Sequence, residues 1–255
     1  MTDITPHRSK TVCKICRGPL TVHQEVRGGV CDNPRCRNAM LHLGKRRAEE
    51  HRAKIANCQG LSHVDDLPLA VVPCYDPSIR NLPEKRRRLF RDHLTLQISR
   101  AVAVSPGELT EDEYPVTLTP TPPEKAFLTE ACRLCRGYCC TQGGTRAWMD
   151  APTIMSHMAN HPENRPRHVL EAYLDLLPKK SCQGSCVYHT EDGCTLPRSM
   201  RANICNRYYC RGQCELWDHF QGPDHSHALI IAMDRNVVIR SKVVLRRSQT
   251  LPDDG

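Results

Sequence analysis

Sixteen cysteines carry most of the chemistry that this 255-residue chain can offer. The first four read Cys13-x2-Cys16-x14-Cys31-x4-Cys36. Two close thiol pairs joined by a ribbon-length spacer suit a tetrahedral cation, and four thiolates suit Zn²⁺ best. The second group is Cys132-x2-Cys135-x3-Cys139-Cys140, and the third is Cys182-x3-Cys186-x7-Cys194-x10-Cys205-x4-Cys210-x3-Cys214. Ten thiols within about 80 residues exceed what one tetrahedral site uses. Thiolate-only ligation serves Zn²⁺ and iron–sulfur clusters alike, and spacing does not separate the two. Adjacent cysteines such as Cys139 and Cys140 do not easily pair with each other. One is free to ligate while its neighbour serves a second metal, packs or reacts.

The segments around these thiols predict how they are positioned. Arg17-Gly18-Pro19 follows Cys16, and the glycine is expected to take the positive φ of a metal knuckle. Thr21–His23 and Glu25–Arg27 are predicted as two short strands, with Gly28-Gly29 as a bend. Asp32 or Asn33 before Pro34 marks a helix start, which places Cys36 in the first turn of a helix running to about Asn57. Knuckle, hairpin and ligand-bearing helix define a zinc-ribbon or treble-clef module over residues 1–60. Its helix carries Lys45, Arg46, Arg47, Arg52 and Lys54 among Glu49 and Glu50.

Residues 61–124 read as an irregular segment, a basic helix and a linker. Residues 58–83 read as irregular and hold the isolated Cys58 and Cys74, expected to be buried thiols. The helix is predicted from Glu84 to about Val102, with a partial apolar stripe of Leu89, Phe90, Leu94, Leu96, Ile98 and Val102. Five prolines in 103–124 mark the linker and the expected domain boundary. Residues 125–250 form the second cysteine domain. A helix is predicted from Asp150 to about Asn160. Another starts at Pro166, with Val169, Leu170, Tyr173, Leu174 and Leu177 facing inward. Leu229–Met233 and Val237–Leu245 read as a hairpin turning at Asp234–Asn236. The fold class is α+β, small and stapled by metal.

Composition narrows the function. Hydrophobic residues make up 39% of the chain, cysteine included, and aromatics only 5%, so metal sites are expected to supplement a modest core. The longest apolar run, Ala228–Met233, is far short of the ~20 residues a membrane helix uses. The first 14 residues show no apolar core of a secretory signal. A cytoplasmic protein with reduced thiols is expected, and its cysteines read as metal ligands. A disulfide framework in a protein exported by another route is the alternative. The net charge of +8 is uneven: residues 1–100 carry 19 Lys+Arg against 10 Asp+Glu. That asymmetry points to an anionic partner, nucleic acid or acidic protein, for the N-terminal half. No aromatic residue precedes Leu69, so no base-stacking platform accompanies the zinc module. No nucleophile elbow, P-loop or dinucleotide fingerprint is present.

The second and third cysteine groups resemble the bacterial CxxCxxCC (YkgJ-type) family of zinc- or iron-chelating proteins over about residues 130–215. The resemblance rests on Cys132, Cys135, Cys139 and Cys140, then Cys186-Val187-Tyr188, then Gly193-Cys194-Thr195-Leu196. Last comes Arg201-Ala202-Asn203-Ile204-Cys205-Asn206-Arg207-Tyr208, with Cys210 after it. Here three residues, not two, separate Cys135 from Cys139, and Ala202 stands at the family's proline. The resemblance implies that Cys132, Cys135, Cys139, Cys140, Cys186, Cys194, Cys205 and Cys210 hold an iron–sulfur cluster, iron or zinc. The surplus of thiols beyond structural need points to a redox or metal-dependent enzymatic role. Flagellin lysine methylases look like distant relatives, which raises a protein-modifying activity as a further alternative. Arg201 matches the family's arginine and is expected to tune the metal from behind its ligands. Arg198, Arg207 and Arg211 flank the same thiols, or pair with Asp192 and Glu215. His189 is a candidate ligand, as is the group His219, His225 and His227. The ligand roles of Cys182 and Cys214 stay open.

Overall fold

A computed structural model describes residues 11–21, 24–25, 29–61, 63–104, 118–221, 227–234 and 236–245. The chain is a mixed α+β protein. Its residues cluster into two compact units, Met1–Pro73 with Asp218–Gly255, and Cys74–Trp217. This division is not in chain order, unlike the expected split at 103–124. The reason is a parallel strand pairing between distant segments.

The first unit centres on helix α1 (Pro34–Cys58) and a three-stranded sheet. Asn33 caps α1, its side chain accepting from the Arg35 amide at 2.9 Å, and Pro34 occupies the first turn. Small buried residues, Gly44, Ala48 and Ala56, line one face of the helix. Strand β1 (Leu69–Pro73) pairs parallel with β6 (His227–Asp234), Leu69 opposite Leu229 and Pro73 opposite Met233. β6 pairs antiparallel with β7 (Val237–Leu245). β1 falls where an irregular segment is expected. Its proline sits at the end of an edge strand, where a missing N–H does no harm. Ala228 to Ala232 are all fully buried, as befits a central strand. With Met233 they are also the longest apolar run of the sequence. Ala48, Ala56, Leu67, Leu229 and Ile231 form the core of this unit. Asn236 ties α1 to the hairpin: its Nδ2 donates to the Met40 carbonyl at 3.0 Å, and its own carbonyl accepts from Arg47 at 2.9 Å. Its φ is +71°. Arg235, at the centre of the expected turn, lies outside the described residues.

The second unit is helical around one apolar core. Helix α2 (Glu84–Ala103) packs Phe90, Leu94, Ile98 and Ala101 against Ile154, Val169, Tyr173 and Tyr188. Spacings of three and four residues put these side chains on one face. Leu89, Leu96 and Val102, expected in the same stripe, fall off that period and are exposed. Helix α3 (Pro122–Cys135) opens on a capping box, the Thr121 amide donating to Glu124 Oε2 at 2.7 Å. It begins within the stretch expected to be linker. Residues 105–117 of that stretch lie outside the described residues. Helix α4 (Ala151–Asn160) starts at the Asp150 cap, and α5 (Pro166–Asp175) follows. Val169, Tyr173 and Leu177 are buried, while Leu170 and Leu174 pack at the core's margin. Strand β2 (Ile79–Asn81) pairs with β3 (Lys180–Cys182), and β4 (His189–Thr190) with β5 (Gly193–Cys194). Two short helices, α6 (Asn203–Arg207) and α7 (Arg211–Gln221), complete the element order of this region. Tyr188 donates to the Tyr173 carbonyl and Tyr173 to the Met200 carbonyl, so the core tyrosines bury no unpaired hydroxyl.

Candidate metal centre

Cys13, Cys16, Cys31 and Cys36 converge. Their sulfurs all lie within 4.8 Å of one another, close enough to hold a metal ion. Cys16 and Cys31 sulfurs are 3.7 Å apart, about the separation across a tetrahedron with metal–sulfur bonds of about 2.3 Å. The knuckle closes through the Cys13 amide on the Gly18 carbonyl at 2.7 Å and the Arg17 amide on the Cys13 carbonyl at 2.9 Å. The residue with positive φ is Arg17, at +62°, and not Gly18 as expected. Val12 and Pro19 bridge antiparallel beside the knuckle. Cys36 reaches the group from the first turn of α1.

The expected hairpin between the pairs is corrected where residues are described. Gln24 and Glu25 form a helical turn, the Glu25 amide bonding the Thr21 carbonyl at 2.9 Å. Thr21 and Gln24 exchange capping bonds: the Thr21 amide donates to Gln24 Oε1 and the Gln24 amide to Thr21 Oγ1. Thr21-x-x-Gln24 is a capping-box pattern, a signal that outweighs the β-branched residues beside it. Val22, His23 and Val26–Gly28 lie outside the described residues.

The electrostatics of the tetrad favour a cation. Burial opposes ionisation of Cys13, but amide hydrogen bonds from Cys16, Cys31 and Ile15 bring it down to about 6. Burial and the three neighbouring thiols push Cys36 up to about 12. Four thiolates this close repel one another until a positive ion neutralises them.

The eight cysteines of the second group all lie within the second unit. Cys132 and Cys135 lie one turn apart at the end of α3. Arg136 and Gly137 both take left-handed conformations, with φ of +57° and +73°. They reverse the chain into the short helical turn Tyr138–Gln142 that carries Cys139 and Cys140. The Cys186 amide bonds the Cys140 carbonyl at 3.0 Å. Cys194 faces His189 across the β4–β5 ladder.

Burial and neighbouring thiols shift most of these cysteines upward. Burial raises Cys132 to about 12 and Cys135 to about 11, with Cys139 and Cys210 adding to both. Cys139 is lowered to about 7 because the Cys140 thiol donates to it. Cys140 is raised by the same bond, by burial, and by Cys139, Cys186 and Cys194. Burial raises Cys205 to about 12, with help from Cys186, Cys194 and Cys139. Among the described residues, the N-terminal tetrad is the group whose ligand atoms all meet within 4.8 Å.

Gln213 is a residue that sequence reasoning missed. Its amide nitrogen donates to Cys132 Sγ at 3.2 Å and to the Leu128 carbonyl at 3.1 Å. Its amide oxygen accepts from the Cys210 N–H at 3.1 Å. It thus joins α3 to the start of α7. Cys210-x-x-Gln213 is the half of a capping box that reaches back to the cap, so a local signal existed. Arg201 donates to the Leu196 carbonyl at 2.8 Å and the Cys194 carbonyl at 3.4 Å, which fixes the chain around Cys194. The Arg198 charge lowers Cys132, although burial dominates there. Arg211 pairs with Glu215 at 2.7 Å on the surface. Cys182 is buried. It lines a small cleft with Pro77, Ile79, Arg136, His189, Thr190 and Glu191. Cys214 lies near Cys210, contributing to its raised pKa behind burial and Cys139. Cys74 is buried as expected, but Cys58 is exposed at the end of α1. Of His219, His225 and His227, His225 lies outside the described residues.

All sixteen cysteines are free thiols, and none of the described helices is long and apolar enough to cross a membrane. Compared with family models, curated proteins and solved structures, the chain matches none of them. The likeness to the CxxCxxCC family therefore rests on the residues quoted for it.

Proposed function

We propose that this chain is a cysteine-ligated metalloprotein of a reducing, cytoplasmic compartment, with two metal centres of different character. The observation that carries the reading is the N-terminal tetrad, whose four sulfurs lie within 4.8 Å of one another. Cys13, Cys16, Cys31 and Cys36 are assigned to one Zn²⁺, as a closed structural site in a treble-clef-like module. Cys132, Cys135, Cys139, Cys140, Cys186, Cys194, Cys205 and Cys210 are assigned to an iron–sulfur cluster or to iron or zinc, with a redox or metal-dependent role. In support of this reading, the eight thiols lie within one compact unit, and Gln213 and Arg201 hold the chain around Cys132, Cys210 and Cys194. Such a centre supplies electron transfer or Lewis acidity when filled. The protein's own part is to place the thiolates, to donate to Cys132 from Gln213, and to bury Cys135.

Metal analysis of the full chain purified without oxygen tests this. About one zinc together with iron and acid-labile sulfide supports both assignments. Zinc alone, without colour, makes both centres structural. No metal at all contradicts the proposal.

One observation favours a second activity beside this one. Arg35, Lys45, Arg46, Arg47 and Lys54 are exposed along α1, in the half of the chain that carries the excess positive charge. Binding of nucleic acid that weakens steeply with salt, and is reduced when Lys45 and Arg46 become alanine, supports a nucleic-acid-associated role. Absence of binding at low salt removes it. The methylase alternative has only the family likeness behind it.

A further inference from the structure

Helix α1 sorts its basic residues into two sets. Arg37 pairs with Asp32, Arg47 donates to the Asn236 carbonyl at 2.9 Å, and Arg52 pairs with Asp65 at 2.6 Å. These three hold the helix within its own unit. Arg35, Lys45 and Arg46 are exposed, and among the described residues none of them has an acidic partner. At about 100° per residue, Arg35, Asn38, His42, Lys45 and Arg46 fall on one stripe about 16 Å long. All five are exposed. The stripe is turned away from Gly44 and Ala48, which are buried.

The charge order of α1 works against the helix itself. Residues 34–47 hold five Lys and Arg and no Asp or Glu. The first turn carries no acid and the last turn no base. Cations near the N-terminus face the positive end of the helix dipole, an arrangement that costs stability. A local rule broken in this way marks a surface shaped by something other than folding. Lys14 and Arg17, on either side of Cys16 in the knuckle, are exposed as well. The tetrad sets that knuckle beside Cys36, whose chain neighbour is Arg35.

The chemistry of this surface selects its partner. Five cations spread over a helix face and a knuckle match a run of phosphates rather than a single anion. Residues 11–61 contain no Phe, Tyr or Trp, so a single strand finds no ring to stack on. An α-helix fits the major groove of B-form DNA, which is about 12 Å wide, but not the deep, narrow groove of A-form RNA.

We propose that the Arg35–Arg46 stripe of α1, with Lys14 and Arg17 of the knuckle, is a binding surface for double-stranded DNA, the helix lying in the major groove. The five cations meet phosphates. Asn38 and His42, between them on the stripe, face the base edges. This rests on the reading that the chain associates with nucleic acid, and it names which nucleic acid and which face.

The test is fluorescence anisotropy of the full chain with a labelled DNA duplex of mixed sequence and about two helical turns. Its separated single strand and an RNA duplex of the same sequence are the comparators, each across a salt series. The DNA duplex is expected to bind tightest, with a log–log salt slope of about −4.5 for five phosphate contacts. Lys45→Gln/Arg46→Gln should make that slope shallower by about 2 and weaken binding about 10-fold or more at low salt. Lys85→Gln/Arg88→Gln removes the same charge from exposed positions of α2 and should leave the affinity near native. Equal losses from the two pairs, or a single strand or RNA duplex bound as tightly as the DNA duplex, overturn this assignment and leave the nucleic-acid reading standing. No binding of any of the three probes at low salt overturns that reading, and the assignment with it.

Discussion

Replacing Gly137 by alanine probes the packing beside Cys140. Two costs are expected. The backbone there has φ of +73°, and a left-handed L-residue costs about 1–2 kcal/mol. The new methyl would also sit 2.6 Å from Nε2 and 2.8 Å from Cε1 of His189. The His189 ring is held by the Ser185 hydroxyl, 2.8 Å from Nδ1, and by the Tyr75 ring stacked on it, and cannot swing aside cheaply, so crowding adds about 1–3 kcal/mol. Gly184 provides the comparison in the same unit. Its φ is +75°, and a Cβ there would meet nothing within 4 Å. Gly184→Ala should therefore show the backbone cost alone. Thermal unfolding resolves the difference, because each kcal/mol shifts the midpoint by roughly 3 °C at this chain length. Gly137→Ala should unfold several degrees below Gly184→Ala. Its excess cost should shrink by about 1–3 kcal/mol in a His189→Ala background, since neighbouring substitutions are not additive. Equal midpoints for the two glycine variants, or an undiminished cost in the double variant, would refute the argument.

Three further outcomes follow from the same contacts. At pH 7 the tetrad should release two or more protons on binding zinc, read from the buffer dependence of the binding heat. Cys36 is pushed up to about 12. The Asn33 amide pulls Cys31 down, but burial and the Cys13 and Cys16 thiols leave it raised. Both therefore start protonated, affinity falls as pH falls, and release of no protons contradicts the assignment. Gln213→Ala should cost about 1–3 kcal/mol, because the buried Leu128 carbonyl, Cys132 sulfur and Cys210 amide lose their partner; it should loosen the second metal and spare the first. Asn236→Ala should destabilise the first unit by about 1 kcal/mol more than Asn236→Gly in chemical denaturation, since both lose the bond to Met40 but only alanine is strained at a φ of +71°.

Local signals were legible, and long-range pairing was not. Pro34 after Asn33, the cluster beginning at Glu84, and the Asp150-Ala151-Pro152 start mark helices within a residue or two of where they lie. Caps and prolines act on their own turn, which is why they read well. The β6–β7 hairpin is local in the same sense. β1 was not legible, because five residues ending in proline gain strand structure only from β6, far along the chain. The turn after Cys16 was expected to rest on Gly18, but its left-handed residue is Arg17: the Arg17 amide on the Cys13 carbonyl and the Cys13 amide on the Gly18 carbonyl hold it there against its intrinsic preference. Thr21-x-x-Gln24 and Thr121-x-x-Glu124 were readable as capping boxes, and both mark helical turns where strand or linker is otherwise expected. The buried Ser185–His189 contact could not be found from sequence, since it exists only once β4 sets His189 beside Gly137.

The central claim is that the chain holds two separable cysteine-ligated metal centres. Zinc, iron and sulfide content, with the visible spectrum, of anaerobically purified native protein and of Cys16→Ser/Cys31→Ser tests it most directly. The account predicts that the variant loses one equivalent of zinc and keeps the metal of the second group with its spectrum unchanged. A native protein with no metal beyond the N-terminal equivalent, or a variant that loses all metal together while still folded, would contradict it.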